Sequence, residues 1–245
     1  MNTVTDSNSI SCNNLKTMKN ATFNIVAGTL LAAVNASGAL ITGTLIAEFD
    51  GTTPNPNMTP QDAIDGTGLS SLAFGATHST TWRDHWYSTD LTGFITVDLE
   101  ANYLLDTIWL WNENEDNAGN DRGFQNFEIW VSPDTNTGNL VKLTTDGTGS
   151  QDNGTGDFIL AKAPQSTAYT GTDLDLGGIT NSALLGNARL VSLQAIDNYG
   201  SSGGVGLAEV QFGGTDPIPE PASSLLASLG AFALIASRRR KGLQS

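Results

Sequence analysis

One cysteine occurs in 245 residues, and it is Cys12 in the polar leader. The body therefore has no disulfide and no thiol chemistry, so its stability must come from a packed core, with or without a bound ion. Positive charge is also scarce: 11 Lys and Arg face 25 Asp and Glu, for a formal charge of -14. Four of those 11 are Arg238, Arg239, Arg240 and Lys241 near the C-terminus. This balance argues against a nucleic-acid partner, whose phosphates need a basic footprint. It suits solubility outside a cell and hard cations such as calcium, and equally a plainly solvated acidic surface. There are two histidines, His78 and His85, with no His-Glu-x-x-His helix, no Gly-x-Ser-x-Gly elbow and no phosphate loop. No catalytic constellation is visible, and the chain reads as a non-enzyme. Carboxylate pairs can come from any two strands, so a small polysaccharide-acting enzyme stays as an alternative.

No long stretch carries a 3.6-residue apolar period. Instead, 27 glycines and many Asn, Asp and Thr clusters separate short strand-like runs. These are Leu45–Phe49, Phe94–Leu99, Asp106–Trp111, Phe124–Val131, Asp157–Ala161, Leu190–Ile196 and Leu207–Phe212. Ile95, Val97 and Leu99 alternate with Thr96 and Asp98, and Phe127, Ile129 and Val131 alternate with Glu128 and Trp130. Alternation between turn signals predicts an all-β sandwich or barrel. The run from Asp146 to Gly156 predicts a surface loop.

The two ends are addresses. Residues 1–17 are polar and read as a misassigned extension, with Met18 as the true start. Residues 18–38 combine Lys19, an apolar run from Ala21 to Val34 and small residues from Ala36, which is the pattern of a signal peptide. Cleavage is expected between Ala36 and Ala39. The body spans 42–214, and 215–221 is a linker ending in Pro219-Glu220-Pro221. Residues 222–237 form a hydrophobic, transmembrane-like helix, and 238–245 a basic tail that stays cytoplasmic. At 16 residues the helix is short of the roughly 20 a bilayer core needs, as suits a transient or stable inner-membrane anchor. Pro219, Glu220, Pro221, the apolar helix and Arg238, Arg239 and Arg240 together resemble the PEP-CTERM sorting signal. That resemblance implies an exosortase as partner and a Gram-negative host that makes exopolysaccharide. It places the protein at the cell surface, the outer membrane or the extracellular matrix.

A second resemblance covers about residues 45 to 213. Its carriers in order are Ala63-Ile64-Asp65-Gly66, Trp86-Tyr87-Ser88, Ile95–Leu99, Ile108–Asn112, Arg122–Ile129, Ala188–Leu193, Asn198-Tyr199-Gly200 and Val205–Val210. The series is similar to the discoidin or coagulation-factor C-type domain, a galactose-binding-like jelly roll of two antiparallel sheets. One departure stands out. Many members of that family have a Trp soon after Ala-Ile-Asp-Gly, whereas here some twenty residues intervene, and either Trp82 or Trp86 is the equivalent. The resemblance implies a structural Ca2+ held by Asp65 and Glu209, with loop carbonyls and the Thr81 hydroxyl as further ligands. Asp65 equally suits a turn that caps its own backbone, and Glu209 a surface carboxylate. It also implies glycan binding by loops at one end of the sandwich. The candidates pair aromatic faces with planar hydrogen-bonding groups: Asn112, Asn114 and Arg122 in one loop, and His78 and Trp82 in another. Trp109 and Trp111 alternate on a strand and suit core packing, and Arg122 equally suits a bond to an acidic neighbour. The expected function is a non-catalytic, calcium-stabilised carbohydrate-binding or adhesion module bound to extracellular polysaccharide. A structural matrix or floc protein without specific sugar binding is the alternative.

Overall fold

A computed structural model describes residues 38–42, 45–53, 56–91, 93–115, 119–146 and 158–216. The expected signal peptide, the Pro-Glu-Pro motif, the hydrophobic helix and the basic tail lie outside the described residues, as does most of the Gly-rich loop after Asp146. No helix among the described residues is long and apolar enough to cross a membrane. Among the described residues ten strands are formed: β1 Ala39–Leu40, β2 Ile46–Phe49, β3 Trp86–Ser88, β4 Phe94–Asn112, β5 Asn126–Ser132, β6 Val141–Lys142, β7 Phe158–Ile159, β8 Thr172–Asp173, β9 Ala188–Ala195 and β10 Val205–Thr215. Every pairing between them is antiparallel. The chain is an all-β sandwich, as its alternation predicts.

The runs Phe94–Leu99 and Asp106–Trp111, expected as two strands, are one strand that serves both sheets. The first half of β4 pairs with β2 and β9, and its second half pairs with β10 and β8. The turn between sheets falls where the register with β9 slips between Asp98 and Tyr103, with Glu100 at φ 66°. Strands that pass from one sheet to the other through such a bend form the corners of a sandwich. Arg189 braces this one, donating from Nε to Asp98 Oδ1 at 2.5 Å and from Nη1 to the Glu100 carbonyl.

Ile95, Val97, Leu99, Phe127, Ile129 and Val131 are all buried, so the alternating faces point inward as the pattern requires. A chain of rings crosses the core: Phe49 meets Trp86 at 4.8 Å, Trp86 meets Phe124 at 6.2 Å, and Phe124 and Phe158 flank Phe127 at 6.0 and 5.6 Å. These separations are those of edge-on and tilted aromatic pairs. Trp86 therefore takes the buried aromatic place that two tryptophans competed for, and Trp82 stays at the surface, 42% exposed.

The excursion between β2 and β3 covers the outer side of β10, which is buried from Val205 to Gly214. There Trp111 packs with Ala76 and Ala208 in a second, smaller apolar cluster and donates from Nε1 to the Ala76 carbonyl at 2.9 Å. A β-bulge at Ala208 sets Leu207 opposite Asn112 and Glu209 opposite Trp111. Bulges of this kind re-aim side chains. Here the bulge leaves Glu209 beneath the covering loop.

Candidate functional site

Four charged or titratable side chains converge at one end of the sandwich. His85 immediately precedes β3, Glu113 and Glu115 follow the end of β4, and Arg122 closes a 3-10 turn at Gly119–Arg122. Chain leaving a strand keeps its two-residue alternation for a few positions, which puts Glu113 and Glu115 on one side and Asn112 and Asn114 on the other. His85 Nε2 lies 3.3 Å from Glu113 Oε1 and 3.9 Å from Glu115 Oε2. Arg122 Nη2 lies 2.9 Å from Glu113 Oε1 and touches Glu115 Oε2 directly. The guanidinium also sits 4.6 Å over the Tyr87 ring, a cation–π contact. Gly206 makes room for this group, because a Cβ there would run into the Glu113 carboxylate.

Burial grades the quartet. His85 and Glu113 are 1% and 0% exposed, whereas the Arg122 and Glu115 side chains are 21% and 17% exposed. Glu113 is thus a desolvated charge that depends on Arg122, and removing the guanidinium would leave it uncompensated. The visible part of the group is a guanidinium whose orientation is set by two carboxylates and an aromatic face. A fixed planar fork of donors suits vicinal hydroxyls or carboxylates.

The other expected ligand residues divide. Asn112 is fully buried, and its amide is spent on the Phe124 and Ala161 carbonyls at 2.8 and 3.0 Å. Asn114 is buried as well, donating to the Thr167 carbonyl at 3.3 Å, but its Oδ1 has no hydrogen-bond partner among the described residues. His78 is buried against the Gly66–Gly68 turn, with Nδ1 2.9 Å from the Ser79 carbonyl. Burial lowers its pKa, so its imidazole is neutral near pH 7. Trp82 stands in the Thr81–Asp84 turn, three residues before His85, with the Arg83 guanidinium 4.8 Å over its ring. The structure therefore leaves Arg122 and Trp82 accessible and places Asn112 and His78 inside. Sequence reasoning missed Glu113 and Glu115, for which the available signal was a Glu-x-Glu pair at a strand exit; their convergence with His85 carries no signal along the chain.

The Asp65 and Glu209 carboxylates meet on the other side of the covering loop. Glu209 is 1% exposed and accepts from the Gly66 N–H at 3.3 and 3.2 Å to its two oxygens. Gly66 adopts φ +77°, which turns the loop over the carboxylate. Asp65 caps its own turn, accepting from the Thr67 N–H at 2.7 Å. Burial and, second, the negative charge of Asp65 raise the Glu209 pKa to about 9. A buried carboxylate beside another, served by one backbone donor, is short of positive charge, so this pair fits a hard divalent cation. A cleft of ≈ 350 Å³ opens beside it, lined by Asp65, Glu209, Gln61 and Leu72 among others. The Thr81 backbone takes part in the turn with Ser79 and Asp84.

A larger cleft of ≈ 730 Å³ lies on the sheet formed by β2, the first half of β4, β9 and β5, between Glu48, Asp50, Phe94, Thr96 and Trp130. Among the described residues it contains no buried polar atom that lacks a hydrogen-bond partner.

Comparison with known proteins finds two separate similarities. Residues 217–241 match the PEP-CTERM protein-sorting motif. The structural neighbours of the sandwich are F5/8 type C and family 32 carbohydrate-binding domains. The F5/8 type C domain of a Bacteroides fragilis protein is 11% identical, with a TM-score of 0.46 over 74% of this chain and 99% of that one. The family 32 module of Clostridium perfringens NanJ, solved with galactose, is 15% identical, with a TM-score of 0.40 over 72% of this chain and 98% of that one. A family 89 glycoside hydrolase from Clostridium perfringens is 20% identical, with a TM-score of 0.42 over 75% of this chain. This chain spans only 16% of that hydrolase's length. A sequence search of curated proteins finds no match.

Proposed function

We propose that the protein is an exported, non-catalytic glycan-binding module, sorted through its C-terminal motif and retained among extracellular polysaccharide. The single observation that carries this reading is Arg122, clamped by Glu113 and Glu115 and stacked on Tyr87, with the exposed Trp82 three residues before His85 in the chain. Sugar rings present an apolar face and a rim of paired hydroxyls. A flat aromatic face and a fixed guanidinium answer those two features in turn. Because the clamp is formed before any ligand arrives, little side-chain entropy is lost on binding.

Calcium at Asp65 and Glu209 has a structural role in this proposal. Together with loop carbonyls, the two carboxylates tie residues 65 and 209 together across most of the sandwich, in a chain with no disulfide in its body. The sorting motif directs the sandwich out of the cytoplasm, with exosortase as the processing partner and the basic tail held inside until processing.

A glycan array probed with the mature sandwich in calcium tests the reading. The expected result is sugar-competable binding, weakened at least about 10-fold, or about 1.4 kcal/mol, by Arg122→Met. Self-association with no sugar-competable signal, from a protein whose circular dichroism shows the folded sandwich, would instead support the structural matrix role. Turnover of a polysaccharide, lost on changing one carboxylate, would establish an enzyme.

A further inference from the structure

We infer that His85, Glu113 and Glu115 form a second metal site, selective for a zinc-like divalent transition metal, whose place Arg122 holds when the metal is absent. The inference stands apart from the glycan reading, because it concerns the buried base of the quartet and is tested with no sugar present.

Three observations carry it. His85 Nε2 and one carboxylate oxygen from each glutamate lie within 4.8 Å of one another, as three ligands of one ion must. Zinc bonds to nitrogen and oxygen of about 2.0–2.2 Å put tetrahedral ligands about 3.4 Å apart. The His85–Glu113 separation of 3.3 Å already meets this, and the 3.9 Å to Glu115 needs a small inward movement of a partly exposed side chain. Second, His85 is 1% exposed and its Nε2 has no hydrogen-bond partner among the described residues, while it faces Glu113 Oε1 at 3.3 Å. A buried polar atom without a partner is rare, and this one faces the two carboxylates. Third, two carboxylate groups share one guanidinium.

Arg122 is the resident cation. Its Nη2 contacts both ligand oxygens, close to where a metal would sit, so metal and guanidinium exclude one another. The arginine has somewhere to go, because it is partly exposed and can slide along the Tyr87 face. One imidazole with two carboxylates is a mixed nitrogen and oxygen set, which suits zinc, cobalt or nickel better than calcium, whose ligands are oxygen alone. The Asp65–Glu209 pair, with no nitrogen ligand, is chemically distinct.

The experiment is a zinc titration of the mature sandwich by calorimetry in saturating calcium, repeated with cobalt to read visible absorption. One zinc per chain is expected, with cobalt showing the intense bands of a low-coordinate site. His85→Gln and Glu115→Gln should each weaken zinc at least about 10-fold, as loss of a ligand contact does. Arg122→Met should tighten it, because the competing cation is gone; a role for Arg122 as a scaffold for the site predicts the opposite. Glu115→Gln changes a partly exposed side chain and keeps the test decisive if His85→Gln fails to fold. The inference is overturned if zinc does not bind, if both glutamine variants bind it like the parent, or if Arg122→Met weakens it.

Discussion

Replacing Glu209 by Gln should stabilise the protein in chelator and destabilise it in calcium. The buried Glu209 carboxyl titrates near 9, against an ordinary value of 4.5, so without metal it is protonated in the folded chain at neutral pH. Below 4.5 the folded and unfolded chains both hold the proton, and stability does not depend on this group. Between 4.5 and about 9 the unfolded chain has released it and the folded chain has not, so stability falls as pH rises through that window. At pH 7 the cost is 2.5 pH steps of 1.36 kcal/mol, about 3 kcal/mol as an upper figure. Gln is nearly isosteric with the protonated acid, still accepts from the Gly66 N–H and has nothing to titrate. In chelator at pH 7, Glu209→Gln should therefore raise Tm by up to about 6–12 °C for a domain of this size. At pH 5 the advantage should nearly vanish. In excess calcium the parent should overtake the variant, because only an ionised carboxylate binds the metal well. Differential scanning calorimetry of both proteins, at two pH values and with either chelator or calcium, reads all of this. A variant less stable than the parent in chelator at pH 7 would refute the desolvation argument, and an absent calcium shift in the parent would refute the metal.

Gly206→Ala should cost about 1–3 kcal/mol by forcing a methyl against the Glu113 carboxylate, and should weaken glycan binding with it; chemical denaturation and the array check each part. Trp82→Ala should leave Tm nearly unchanged, since the ring is 42% exposed, yet weaken sugar binding by roughly 1 kcal/mol, about fivefold, in a calorimetric titration. Replacing Pro219, Glu220 and Pro221 by Ala should abolish sorting, so that fractionation finds the sandwich retained as unprocessed chain at the inner membrane. Release of that variant in the normal processed form would count against the motif as an address.

Period-two alternation made Ile95, Val97, Leu99, Phe127, Ile129 and Val131 legible as core, since a strand with one buried face writes itself into the sequence. Three short strands were not legible. β1, β6 and β8 are two residues each, too short for any period, and exist because a neighbour supplies the ladder. The corner near Glu100 was hidden too, because a non-glycine residue at positive φ carries no local signal and is held by Arg189 from a distant strand. Asp65, Glu209, Arg122 and Trp82 are candidates drawn from motif order or residue type. Asn112 has the same hydrogen-bonding chemistry, but its partners Phe124 and Ala161 are brought in by folding, and they consume its amide. The His85–Glu113–Glu115–Arg122 group joins three separate segments, and the bulge that aims Glu209 is a matter of register between β4 and β10. Neither can be read along a single stretch of chain.

The most direct test of glycan binding is co-sedimentation of the purified mature sandwich with a bacterial exopolysaccharide, in calcium, beside an Arg122→Met variant shown by circular dichroism to be folded. The parent should partition with the polysaccharide and be released by competing free sugar, while the variant stays in solution. Equal partitioning of the two proteins, or none by either, would contradict glycan capture by the clamped arginine.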